Sequence, residues 1–282
     1  MNCLAVLPQI FHRKLFGIAR LLCSLRPGVT VTVQGDTLNA NPVAALLELG
    51  GPVARGHATA VPTAGTYGDV LRDRVFRRLL LLSFVSSFVG YGQVEGGWTA
   101  YANAIARVST RALGIAFAVN TTTIVLLQVV VLRLIQGRRR TRMLMLQAAL
   151  WSASWAILGV AGRVPATPLA AVLVVSAFGV FAVGETLMSP TLPAIRNDVA
   201  PEALRGRYNA AAGVAFQLAH ITGPTVAGFL LGANRGYLFI TMLVGGCGLL
   251  GLATLHLERV LPAEANGVVS ERRGEAPDRA SA

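Results

Sequence analysis

Six stretches of this sequence, spanning about residues 79–106, 112–135, 143–162, 166–195, 208–234 and 236–257, run almost without charge. An α-helix rises 1.5 Å per residue, so roughly 20 apolar residues cross the hydrocarbon core of a bilayer, and each stretch is long enough. Within them the only acidic or basic residues are Glu95, Glu185 and, at an end, Arg133. A soluble helical domain would show polar positions every third or fourth residue on most helices; these stretches do not. With 54% of all residues hydrophobic and 13% charged, the pattern predicts an all-α membrane protein with six transmembrane helices.

Lysine and arginine total 25 against 13 acids, a formal charge of +12, and every basic residue except Lys14 is arginine. Taken without position, the excess points to nucleic acid. Taken with position it does not, because the arginines cluster in short turns between apolar runs. Arg72, Arg74, Arg77 and Arg78 precede the first stretch, and Arg138, Arg139, Arg140 and Arg142 follow the second, with Arg133 just before them. Arg196, Arg205 and Arg207 flank the fourth-to-fifth connection, and Arg259 follows the sixth stretch. The alternate connections hold only Arg107 and Arg111, then Arg163, then Arg235. Cytoplasmic connections carry the arginine excess. The expectation is a multi-pass protein of the cell (inner or plasma) membrane with both ends of the six-helix unit cytoplasmic.

Residues 1–66 do not join this pattern. "FHRKLFGIARLLCSL" reads as a short basic amphipathic helix for a membrane surface, "RPGVTVTVQGDTLNANP" alternates like a strand before turn residues, and 50–68 is a Gly/Pro/Ala/Thr linker. The N-terminus lacks the form of a secretory signal, because Pro8 interrupts its apolar run and no small-residue cleavage site follows. The expected organisation is an N-terminal segment and linker over 1–66, a six-helix bundle over 67–258, and a polar, disordered cytoplasmic tail over 259–282. Cys3, Cys23 and Cys247 have no CxxC or ligand spacing, so they read as free thiols.

Three pieces then carry a resemblance: "YGDVLRDRVFRRLLLLSFVSSFVGYGQVEGGWTAYA" (67–102), "GRRRTR" (137–142) and "GETLMSPTLPAIRNDVAPEALRGRYNA" (184–210). Together they resemble the C-terminal half of a major facilitator superfamily transporter, most like the bacterial drug and small-solute efflux branch, over about 67–258. The resemblance implies half of a twelve-helix fold and secondary, proton-coupled export or porting of a small molecule. Its Arg-rich turn between the second and third helices keeps the glycine and basic run of the family element but lacks its acidic residue. Alternating access needs two bundles around a shared site. Three accounts therefore stand open: a truncated or frameshifted product, a half completed by a complementary N-terminal half on another chain, and a homodimer.

The candidate residues are few. Glu185, roughly 30 Å along a helix entered from outside, is placed near the cytoplasmic boundary. It reads either as a protonatable gate or as a structural acid paired with an arginine such as Arg138 or Arg205. Pro190 and Pro193 should bend or end that helix, and Asp198 with Pro201 should start a short cytoplasmic helix, "PEALRGR". Arg138, Arg139, Arg205 and Arg207 with Asp198 and Glu185 form the candidate cytoplasmic latch. Glu95, roughly 25 Å along the first helix, is turned towards a cavity or else lies in an outer vestibule; Gln93, about 200° away, cannot share its face. Asn120 and Gln128 on the second helix, and Gln217 and His220 on the fifth, are pathway candidates, each with helix–helix bonding as the alternative role. Gly92 with Gly96 and Gly228 with Gly232 are close-packing pairs, and Trp98 and Tyr237 fit the outer aromatic belt.

No Walker loop, GxSxG, HExxH or dinucleotide fingerprint occurs, so neither an enzyme nor a cofactor is expected, and transport energy would come from an ion gradient. The expected partners are the lipid bilayer, an unidentified small molecule and protons, with no nucleic acid. A non-transporting membrane scaffold, whose polar groups only join helices, is the alternative.

Overall fold

The computed structural model describes residues 31–33, 36–38 and 67–268. Chain contacts divide it into two units, 1–64 and 65–282. In the first, β1 (Val31–Val33) pairs antiparallel with β2 (Asp36–Leu38) in the register Val31↔Leu38, Thr32↔Thr37 and Val33↔Asp36, a hairpin with a two-residue connection. It falls where the sequence alternates. The basic amphipathic segment and the linker lie outside the described residues.

The second unit is all helix. α1 (Tyr67–Arg72) leads into α2 (Arg74–Val89), then α3 (Tyr91–Gln93), a π-helical turn (Val94–Trp98) and α4 (Thr99–Ala104). α5 (Thr110–Ile135), α6 (Arg140–Ala161), α7 (Pro168–Val199), α8 (Arg205–Gly232) and α9 (Gly236–Glu258) complete it. Among the described residues, six segments are long and apolar enough to cross a membrane: Arg74–Gln93, Thr110–Ile135, Arg140–Ala161, Pro168–Val199, Glu202–Gly232 and Gly236–Glu258. The second unit is thus an all-α membrane-type bundle, and the described residues of the first form one short hairpin.

The helix starts follow local chemistry. Asp73 caps α2, its Oδ1 accepting from the Val75 and Phe76 N–H groups at 2.8 and 3.2 Å. Ser109 caps α5 and Thr167 caps α7, where Pro168 occupies the first turn at no hydrogen-bond cost. α6 has no cap of its own, because Arg139 precedes it. Asn266 supplies one from beyond α9: its carbonyl accepts from the Arg140 N–H at 3.0 Å, and its Oδ1 accepts from the Thr141 N–H at 3.0 Å and hydroxyl at 3.1 Å. Ala265 and Asn266 are buried, at 3% and 4% exposure. The turn over 262–268, read from sequence as part of a disordered tail, is therefore packed: its backbone and side chain satisfy donors that no nearer residue can reach. Residues 269–282 lie outside the described residues.

α6 packs most extensively, against α7 and α9, while α5 lies on α7, and α2 lies on α8 and α9. Aromatic rings fill the junction. Trp151 stacks on Phe181 with centroids 4.6 Å apart, and Trp98 sits 4.7 Å from Phe178 and 5.0 Å from Trp155. Both third-span indoles donate to backbone carbonyls, Trp151 to Phe181 at 3.1 Å and Trp155 to Val89 at 2.9 Å, so each buries a large ring without orphaning its N–H. Trp98 is fully buried in this cluster and not in the outer belt, because the π-helical turn that contains it aims it at the aromatic junction. Tyr237 is 75% exposed, as a belt residue requires.

Two further expectations change. Pro190 and Pro193 do not end the fourth helix; α7 stays α-helical to Val199. Each proline removes one backbone bond, a cost of about 3 kcal/mol in an unsupported helix. Here Thr191, Leu192 and Ile195 are buried on either side of Pro193, and that packing holds the helix through it. Asp198 accordingly belongs to the last turn of α7, and "PEALRGR" supplies a 3₁₀ turn (Glu202–Leu204) that runs directly into α8. Of the glycine pairs, Gly92 meets Gly223 across the first-to-fifth crossing. A Cβ on Gly223 would lie 2.7 Å from the Gly92 carbonyl oxygen, and one on Gly92 would lie 2.6 Å from that of Ala219. A Cβ on Gly228 or Gly232 would meet nothing within 4 Å, so that pair makes no such contact.

Candidate functional site

Because α7 runs on to Val199, Glu185 stands near the middle of a 32-residue helix. Among the described side chains it is the carboxylate farthest from any span end. No arginine reaches it: the ion pairs among the described residues are Arg139–Glu258 (2.9 Å), Arg142–Glu258 (4.0 Å) and Arg140–Asp198. Its neighbours are instead the Tyr91 hydroxyl, from the first span, and the Asn120 side chain, from the second. The Asn120 amide nitrogen is buried without a hydrogen bond of good geometry. It faces the carboxylate without being saturated by it.

Tyr91 carries the cluster on to the fifth span. Its ring lies 6.4 Å from that of His220, nearly parallel, and 5.9 Å from Phe216, with the edge of Trp151 at 6.2 Å. His220 Nδ1 is 3.1 Å from the Phe216 carbonyl. A carbonyl can only accept, so Nδ1 donates there and Nε2 is left as a lone-pair acceptor. That Nε2 is buried and has no partner. Four spans thus contribute a phenol, an amide, a carboxylate and an imidazole to one patch, with two polar atoms open to a further partner.

The other candidates divide. Gln93 is fully buried, and its Nε2 donates to the Gly223 carbonyl at 3.2 Å, so it joins helices at the glycine crossing and does not face the Glu185 patch. Glu95 lies in the π-helical turn, and its side chain is outside the described residues. Gln128 is half-buried two turns further along α5, and Gln217 is exposed on α8; nothing brings either to the patch. The latch set is re-paired: Asp198 binds Arg140, Arg139 binds Glu258, Arg138 and Arg205 are exposed, and Arg207 is half-buried without an ion pair among the described residues. Arg196 donates to Asn209 Oδ1 at 2.7 Å, which ties the end of α7 to the start of α8. An apolar cleft of about 500 Å³ between α8 and α9, lined by residues including Thr225, Phe229 and Met242, stands apart from this chemistry.

Tyr91, Arg140, Glu258 and Asn266 escape sequence reasoning. Tyr91 sits in an apolar run with no period that marks it, and the others act on partners far away in the chain. Comparison with protein-family models, curated proteins and solved structures finds no match to this chain. No group of three or more His, Cys, Asp or Glu among the described residues could hold a metal ion.

Proposed function

We propose that the chain is a half-bundle of the major facilitator type, working in secondary, proton-coupled movement of a small molecule across the cell membrane, with both ends of the six-helix unit cytoplasmic. The observation that carries this reading is the polar patch that four spans build around Glu185. A carboxylate within a membrane-spanning helix is costly unless it serves an ion or solute pathway. This one adjoins an unsaturated amide and a tyrosine stacked on a free imidazole nitrogen. In this account Glu185 takes and releases the proton beside the Tyr91 hydroxyl, and the Asn120 amide nitrogen and His220 Nε2 bond to the solute or to water. Six spans complete a cavity only against six more, so the working unit includes a complementary half or a second copy.

The test is pH-gradient-driven flux of cationic, neutral and anionic solutes in vesicles holding the chain with its complementary half. Glu185→Gln is expected to abolish flux of the accepted solute, and Glu95→Gln tests the outer carboxylate. Undiminished flux in Glu185→Gln refutes the proton role. The scaffold reading is favoured by the Gln93–Gly223 bond, in which a buried amide nitrogen joins two helices. It predicts that both Gln variants retain every measurable property of the parent.

A further inference from the structure

The N-terminal turns of α2 carry Arg74, Arg77 and Arg78, all exposed, and no acid stands in the first turn. At 3.6 residues per turn these three and Leu81 fall within about a 100° arc of the helix. Leu81 is 62% exposed, and Val85 and Phe88 continue the same column, half-buried, towards the bilayer interior. The opposite face, with Phe76, Leu79, Leu82 and Ser86, is the buried one. The arginines therefore point outward, in line with an apolar column.

No acid among the described residues forms an ion pair with them. Asp73, their neighbour in the chain, is occupied by the α2 N–H groups and by the Tyr208 hydroxyl at 2.8 Å. Asp198 and Glu258 belong to Arg140, Arg139 and Arg142. Like charges three and four residues apart repel, and cations near a helix start oppose its dipole. An arrangement that costs stability twice over calls for an anion, and guanidinium forks match phosphate oxygens in pairs.

We infer that the Arg74–Arg77–Arg78 face of the first span binds the phosphate of an anionic phospholipid, whose acyl chain lies along Leu81, Val85 and Phe88. The apolar column directly above the charges selects a lipid over a soluble anion or an acidic protein segment, neither of which has a use for it. This does not rest on the transport reading.

The test is native mass spectrometry of the full chain released from phosphatidylcholine vesicles with and without phosphatidylglycerol. Wild type is expected to retain phosphatidylglycerol in preference to phosphatidylcholine. A surface arginine contributes about a five-fold preference, so replacing all three by Gln should lower retention on the order of 100-fold. Single Gln variants should each lose about five-fold, which keeps the test open should the triple variant fold poorly. Arg→Lys at all three keeps the charge but loses the paired contacts, and should fall between. Equal retention by wild type and the Gln variants overturns the proposal. So does wild-type capture of an acidic peptide with no lipid preference.

Discussion

Asn266→Ala is expected to loosen the third span at its N-terminal start while leaving the rest of the bundle in place. The substitution removes one oxygen, Oδ1, that accepts from both the Thr141 N–H and its hydroxyl. Thr141 is fully buried, so water does not replace the acceptor. Losing a cap costs about 1 kcal/mol, and a buried donor left unpaired costs about 1–3 kcal/mol. The hydroxyl can turn to another acceptor, so about 2 kcal/mol is the reasonable sum. At 1.4 kcal/mol per factor of ten, that is roughly a 30-fold rise in the local opening constant of the first turn of α6. Hydrogen–deuterium exchange of the amides following Arg139, measured on the detergent-solubilised chain, reads it directly. Asn266→Asp keeps an acceptor and adds a negative charge at a helix start, so protection should be retained or increased. Unchanged exchange in the Ala variant, or equal loss in Ala and Asp, refutes the assignment of Asn266 as the cap.

Other substitutions separate close packing from empty space. Gly223→Ala should destabilise the bundle by about 1–3 kcal/mol, since its methyl would meet the Gly92 backbone, whereas Gly228→Ala, with open space around it, should be neutral or slightly stabilising; thermal unfolding in detergent compares them. Trp155→Phe should cost about 1–3 kcal/mol, because it leaves the Val89 carbonyl without its donor, and the same assay applies. A reporter fused after Arg140 should be cytoplasmic and one after Arg163 external, and the reverse pattern would overturn the orientation drawn from the arginines.

The spans were legible because lipid imposes a simple demand, long apolar helices with satisfied backbones, that composition alone meets or fails. Helix ends were less so. Two prolines are a strong local stop signal, yet α7 passes through them, since burial of Ile195 and its neighbours is a tertiary fact. The expected place of Glu185 came from its distance along the span and not from the prolines, and the structure adds that α7 continues well beyond it, to Val199. Its expected arginine partner failed for a related reason. Several arginines share one face and any could pair with a nearby acid, but only packing decides that Arg140 takes Asp198 and Arg139 takes Glu258. Asn266 shows the limit most clearly, because its partner lies 125 residues away and no local pattern announces a cap at that distance. Asn120 and His220 were read from the sequence as pathway candidates, with helix–helix bonding as the alternative. Their meeting around Tyr91 and Glu185 depended on how four helices turn.

The way the helices adhere gives that meeting its consequence. The first and fifth spans are joined closely, through the Gly92–Gly223 contact, the Gln93–Gly223 bond and the Tyr208–Asp73 bond. The third and fourth are joined as closely, through Trp151, Ser154 and the rings around Phe181, and the sixth span packs on both groups. Tyr91 and His220 belong to the first group, and Glu185 to the second, with Asn120 on the helix packed against it. The polar patch therefore lies on the seam between groups and not inside either. An apolar seam would avoid the cost, about 1–3 kcal/mol each, of leaving the Asn120 amide nitrogen and His220 Nε2 unpaired. Those atoms are most cheaply satisfied by a polar occupant of the seam, water or solute. An occupant that bonds one group more strongly than the other necessarily biases how the two sit together.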